Sequence, residues 1–236
     1  MAKEDFTKWT EYDPHGILTV SEEQAVCEWP PIGAPPPPDW PNVPVGPDFG
    51  PAFLYKARGV AANGLLYFSW DNETGDTFAN DSTLLGWDDD IPQGGDGEPG
   101  NRPELDFFIQ TSAEGGVAHN AVWVRCKSTG QTSAEIRISR GMDHRAKVKR
   151  AGALFCAEVE RWDPMPDQWR WTPVGTISVP CSTDPLAYTW IAIRPETDAR
   201  VSTLRVGPLE ITNPSRRALL TGGGLGRRGL RTGGRL

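Results

Sequence analysis

Short runs in which apolar and polar residues alternate dominate this chain. In 134–139 Ile136 and Ile138 fall on one side while Glu135 and Arg137 fall on the other, and 190–194 and 204–206 repeat the same period of two. That spacing puts alternate residues on one face of a β-strand. The pattern predicts strands over 16–20, 24–29, 52–57, 65–70, 105–110, 120–126, 134–139, 153–161, 175–179, 186–194, 201–206 and 209–212. Turn-forming residues separate the runs, among them Asn63-Gly64, Gly115-Gly116, Thr129-Gly130 and Asp163-Pro164. No window of a dozen residues carries an apolar stripe at helical period. The expected fold class is all-β: an antiparallel two-sheet β-sandwich formed as one unit over residues 1–213.

Two stretches break the alternation. Residues 30–51 hold ten prolines, including Pro35 to Pro38 in succession. Proline has no amide donor for a sheet ladder, so this insertion is expected as an extended, polyproline-like arm. Trp29, Trp40 and Phe49 would anchor such an arm on a partner. Residues 214–236 form a second extension rich in Gly, Arg and Leu. Its Arg216, Arg217, Arg227, Arg228, Arg231 and Arg235, with Leu225 and Leu230 between them, suit a strap that docks on another protein.

The charge total changes how these parts are read. The 236 residues carry 24 basic against 31 acidic side chains, a formal net of −7. The tail has six of the bases and no acid, which leaves 18 bases against 31 acids in residues 1–213, a net of −13. A body this acidic repels a phosphate backbone, so nucleic-acid binding is not expected of it. Ten Trp and 38% hydrophobic residues exclude wholesale disorder. No apolar run has bilayer-spanning length, and the acidic start from Met1 to Phe6 shows no signal-peptide core.

Candidate chemistry is sparse. His15, His119 and His144 stand in no metal-binding pattern, and phosphate-loop, dinucleotide and nucleophile-elbow motifs are missing. Glu158 and Glu160 lie two apart on one strand face, about 6–7 Å along the backbone, a spacing that fits a glycosidic acid/base pair. A solvated sheet face has the same pattern. Two acidic loops, one with Asp71 and Asp76 and the other with Asp88 and Asp90, offer oxygens for a structural calcium but lack the EF-hand order. No cofactor is expected otherwise. Cys27, Cys126, Cys156 and Cys181 form no Cys-x-x-Cys pair and are expected as buried free thiols. Trp162, Trp169 and Trp171 cluster round a proline-containing turn and would present rings for stacking on a glycan.

The opening run from Phe6 to Pro14, the segment from Leu54 to Gly59 and the closing stretch from Gly207 to Ile211 together resemble concanavalin-A-like jelly rolls. More narrowly, they are similar to laminin-G-like modules of phage and environmental genomes. Trp9 stands where those modules have Tyr, and Ala57 where they have Asp. The resemblance implies a jelly roll in a virion or surface-binding setting. The leading expectation is therefore a non-enzymatic structural protein of a virus or phage particle, such as a capsid decoration. It would reside in the virion as a homo-oligomer or lattice component, gripped through arm and tail. The alternative is a lectin-like carbohydrate-binding module. A glycosidase or lyase using Glu158 and Glu160 ranks last.

Overall fold

The computed structural model describes residues 2–13, 16, 18–29, 52–58, 65–72, 82–91, 102–114, 117–139, 142–164, 169–193 and 202–212. Of these, the side chains of residues 2, 27–29, 65–72, 111–118, 164, 169, 202–203 and 211–212 are not described. In chain order the strands are β1 (Ala2–Lys3), β2 (Thr10–Tyr12), β3 (Leu18–Val20), β4 (Ala25–Trp29), β5 (Ala52–Lys56), β6 (Leu65–Asn72), β7 (Ser82–Asp88), β8 (Leu105–Glu114) and β9 (Val117–Cys126). They continue as β10 (Gln131–Thr132), β11 (Ile136–Ile138), β12 (Met142–Ala151), β13 (Leu154–Pro164), β14 (Trp169–Pro180), β15 (Tyr188–Ile193), β16 (Ser202–Val206) and β17 (Leu209–Thr212). One turn of 3-10 helix, Phe6–Lys8, is the helical element among the described residues, and none of them forms a helix long and apolar enough to cross a membrane.

Every strand pairing among the described residues is antiparallel. Six strands form one sheet in the order β1-β17-β6-β12-β13-β14. Eight form a second, β10-β9-β8-β7-β15-β5-β2 with β11 also on β9, and a small sheet β16-β4-β3 joins the same core. The inward residues alternate as the period of two requires: Leu105, Phe107 and Ile109 from β8 meet Phe155, Ala157 and Val159 from β13 in one apolar cluster. Trp87 of the eight-stranded sheet stands edge-on to Phe155 of the six-stranded sheet, ring centroids 5.6 Å apart. Phe6 and Trp9, from the run that carries the family resemblance, are buried against each other at 5.3 Å, so that motif plugs the core. Buried Glu4 adds an ionic tie from the N-terminus to Lys56 and Arg58. Cys126, Cys156 and Cys181 are buried free thiols.

Besides the short strands β1, β2 and β10, three longer strand segments lie outside the sequence-based expectation. β7 is buried on both faces, which erases the polar half of the alternation. In β12 the inward positions include His144 and Arg150, so the strand reads as a charged run although its burial alternates cleanly. The first half of β14 is masked by Pro173 and by a bulge, where the register against β13 shifts between Val159 and Glu160. The arm, residues 30–51, and the tail, residues 214–236, lie outside the described residues.

Candidate functional site

The residues singled out by the sequence are scattered by the fold. Trp162 and Trp171 do come together as direct register partners on β13 and β14, centroids 5.2 Å apart and planes at 54°. The Arg145 guanidinium lies 4.4 Å over the Trp171 ring, so a cation occupies a stacking face that a sugar would need. Trp169 pairs with Pro164 at the strand end, and its side chain is not described. Glu158 and Glu160 share the outer face of the six-stranded sheet, as the period of two required, but each is ion-paired: Lys149 Nζ to Glu158 at 2.7 Å and Arg145 Nε to Glu160 at 2.6 Å. The Lys149 hydrogen bond holds the Glu158 carboxyl below its ordinary range, the opposite of what a general acid needs.

Among the calcium candidates, Asp71 lies within β6 and pairs with Asp143 rather than standing in a loop. Asp76 lies outside the described residues. Asp88 spends its oxygens on backbone amides, and no group of three metal-ligating side chains occurs among the described residues. Trp29 ends β4 with an undescribed side chain; Trp40, Phe49 and all eight tail residues from Arg216 to Arg235 lie outside the described residues, as does His15.

The densest polar and aromatic cluster lies on the outer face of the eight-stranded sheet, where Asp106, Phe53, Trp190, Phe108, Thr83 and Ala192 are nonetheless buried. Register fixes which side chains share it. One row crosses six strands as Arg125, Asp106, Gly86, Trp190, Tyr55 and Thr10; the next runs Trp123, Phe108, Thr83, Ala192, Phe53 and Tyr12. Because a slip of one residue would turn either row inward, the apolar inner face of the same strands enforces this arrangement. Trp123 stacks on Phe108, centroids 5.4 Å apart and planes 14° from parallel, and Arg125 lies 3.9 Å over the Phe108 ring. Arg125 also pairs with Asp106, which is fully buried. A guanidinium held by both a ring and a carboxylate has little freedom left to lose on binding.

Beyond Trp123, Ala121 continues the outward set on β9, with Gln110 opposite it on β8 and Arg137 opposite it on β11. The small Ala121 side chain is itself fully buried beneath those two longer residues. Beside them Glu135 Oε1 accepts from Arg137 Nε at 3.2 Å and faces His119 Nε2 at 3.3 Å. Gln110 and Arg137 are exposed, and Trp123, Arg125, His119 and Glu135 are partly so. An indole flank, amide and guanidinium donors and carboxylate acceptors thus converge on a rigid sheet, and each named cation has a carboxylate partner. Of these residues the sequence draws attention to His119, and to Glu135 and Arg137 as one polar strand face, but to none as part of a binding site. The signal was present in 105–110 and 120–126, where Asp106, Phe108, Gln110, Trp123 and Arg125 form the second half of each alternation.

No protein-family model matches the chain, and no curated protein matches it. Solved structures do. A legume lectin-like domain from Entamoeba histolytica is 9% identical with a TM-score of 0.52, covering 88% of this chain and 90% of that one. The fold is an antiparallel jelly-roll β-sandwich, as in that domain. An alginate lyase from Klebsiella pneumoniae is 11% identical with a TM-score of 0.47, covering 87% of each chain. Peanut lectin is 11% identical with a TM-score of 0.45, covering 69% of this chain and 82% of that one. At 9% identity the likeness to the Entamoeba domain shows architecture alone, and function has to be argued from the site.

Proposed function

We propose that this jelly roll is a carbohydrate-binding module, and that it holds a neutral glycan on the outer face of β8, β9 and β11. The observation that carries the reading is the convergence of the partly exposed Trp123 indole with two carboxylate-paired guanidiniums, Arg125–Asp106 and Arg137–Glu135, beside exposed Gln110. A sugar presents a C–H face to an aromatic ring and hydroxyls that both donate and accept. Guanidinium, amide and carboxylate groups fixed on strands meet those hydroxyls without leaving a charge unpaired. The acidic body, at −13 over residues 1–213, argues against an anionic polysaccharide. A neutral-glycan array probed with the full chain tests the reading. Trp123→Ala is expected to weaken the strongest hit by at least about tenfold, or about 1.4 kcal/mol. Binding unaffected by that change refutes the assignment of this face.

A second reading, assembly into a virus or phage particle, is favoured by one sequence observation: a +6 tail attached to a −13 body. Opposite charges on one chain suit repeated head-to-tail docking, in which many weak contacts add up. Removal of residues 214–236 should then abolish self-association in sedimentation runs at low salt, and unchanged association counts against it.

A further inference from the structure

The row from Arg125 to Thr10 is broken at its middle. Gly86 holds the β7 position, and the Pro103 ring fills the space where a side chain would stand, since a Cβ built on Gly86 would overlap Pro103 Cγ. Pro103 is itself buried. One strand further on, Trp190 is 2% exposed, and its indole N–H donates to the Asp90 carbonyl at 2.9 Å. Both covering groups come from the connection between β7 and β8. Asp88 holds the two ends of that connection together: Oδ1 accepts the amides of Asp89 at 2.7 Å and Asp90 at 3.3 Å, and Oδ2 accepts the amide of Glu104 at 3.1 Å.

The consequence is an asymmetric face. Toward β9 and β11 Trp123, Arg125, Gln110 and Arg137 keep exposed surface, while Asp106, Phe108 and Ala121 beneath them are buried. At β7 and β15 the row is roofed, and among the described residues aromatic surface is accessible again at Tyr55 in this row and at Tyr12 in the next, which is 46% exposed. Strands lie about 4.8 Å apart, so β8, β9 and β11 offer about 10 Å across the sheet, room for about two sugar rings.

The geometry points to Pro103, positioned by Asp88, as an end-stop that makes this site specific for the terminal one or two units of a neutral glycan, and closes it to a chain lying across the whole sheet. This rests on the glycan-binding reading above. It makes Pro103 and Asp88 specificity residues rather than sources of affinity. They decide how much of a polymer the face can accept, because a longer ligand would have to displace a ring that is packed on Gly86 and anchored at both ends.

The test is calorimetric titration of the full chain with malto-, cello- and manno-oligosaccharide ladders from one unit to six. In the native protein, affinity for the ladder that binds should rise to about two units and then stay within about twofold. Pro103→Gly removes the ring and should let affinity keep rising, by about tenfold from two units to four. Asp88→Asn, which weakens the tie while leaving the ring in place, should shift the length profile the same way but less, and it carries the test if Pro103→Gly does not fold. A native profile that climbs steadily with length overturns the end-stop while leaving the glycan reading intact. So does a folded Pro103→Gly whose profile matches the native one. If no ladder and no arrayed neutral glycan binds, the glycan reading itself fails, and the end-stop with it.

Discussion

Acidification should destabilise this fold through His144. The imidazole sits on the inward face of β12 with no solvent exposure, and its Nδ1 is 2.8 Å from the Met142 carbonyl. Burial is the main cause that lowers its pKa to about 4 from 6.5; the nearby Arg161 lowers it further, while the Met142 carbonyl, Asp143 and Asp163 pull the other way. The sign follows from linkage. A folded pKa below the unfolded one means that the unfolded chain takes up the proton first, so the stability present above pH 6.5 is lost as pH falls toward 4. Every tenfold difference in proton affinity between the folded and unfolded chain is worth about 1.4 kcal/mol, so the full loss is about 3 kcal/mol, of which about 2 kcal/mol should have appeared by pH 5. Urea unfolding followed by tryptophan fluorescence from pH 7 to pH 4.5 measures it. His144→Asn keeps a donor near the Met142 carbonyl and has no proton to gain, so its stability should fall less steeply. Parallel curves for the two proteins would refute the argument.

Gly207 sits at φ +130°, and a Cβ there would overlap the Glu23 carbonyl and stand 2.9 Å from Gln24 Cα and 3.0 Å from Phe6 Cε2. Gly207→Ala is therefore expected to cost more than about 2 kcal/mol in chemical denaturation, since backbone strain and overlap add; a loss within experimental error would show that the neighbouring backbone yields. Asp106→Ala leaves Arg125 without its buried carboxylate and should cost about 3–5 kcal/mol, whereas replacing both residues, as in Asp106→Leu with Arg125→Met, should recover most of that. A double variant as unstable as the single one would mean that Asp106 acts through something other than the pair.

The fold class was legible because alternation survives wherever one face of a strand is wet, as at Ile136, Arg137 and Ile138. It failed where both faces are covered, as in β7, or where the inward set contains His144 and Arg150, as in β12. The site was less legible for a related reason. Trp162 and Trp171 drew attention by closeness in sequence, yet across the β13–β14 pairing they pack on each other under Arg145. The face that gathers an indole, two ion pairs and an amide draws on β8, β9 and β11, and only the register between strands brings Gln110, Ala121 and Arg137 into one line. Register across these pairings is set by the turns that join β8, β9 and β11, which alternation within a single strand does not encode. The roof of Pro103 on Gly86 is less visible still, because it arises from a loop folding back on a strand.

The central claim is that glycan binding belongs to the Trp123 face and not to the Trp162–Trp171 pair. The most direct measurement compares Trp123→Ala and Trp171→Ala by calorimetric titration against the neutral glycan that binds the native chain most tightly. Trp123→Ala is expected to lose at least about tenfold in affinity and Trp171→Ala to stay within about twofold of native. The reverse order, or no loss in either variant, would contradict it.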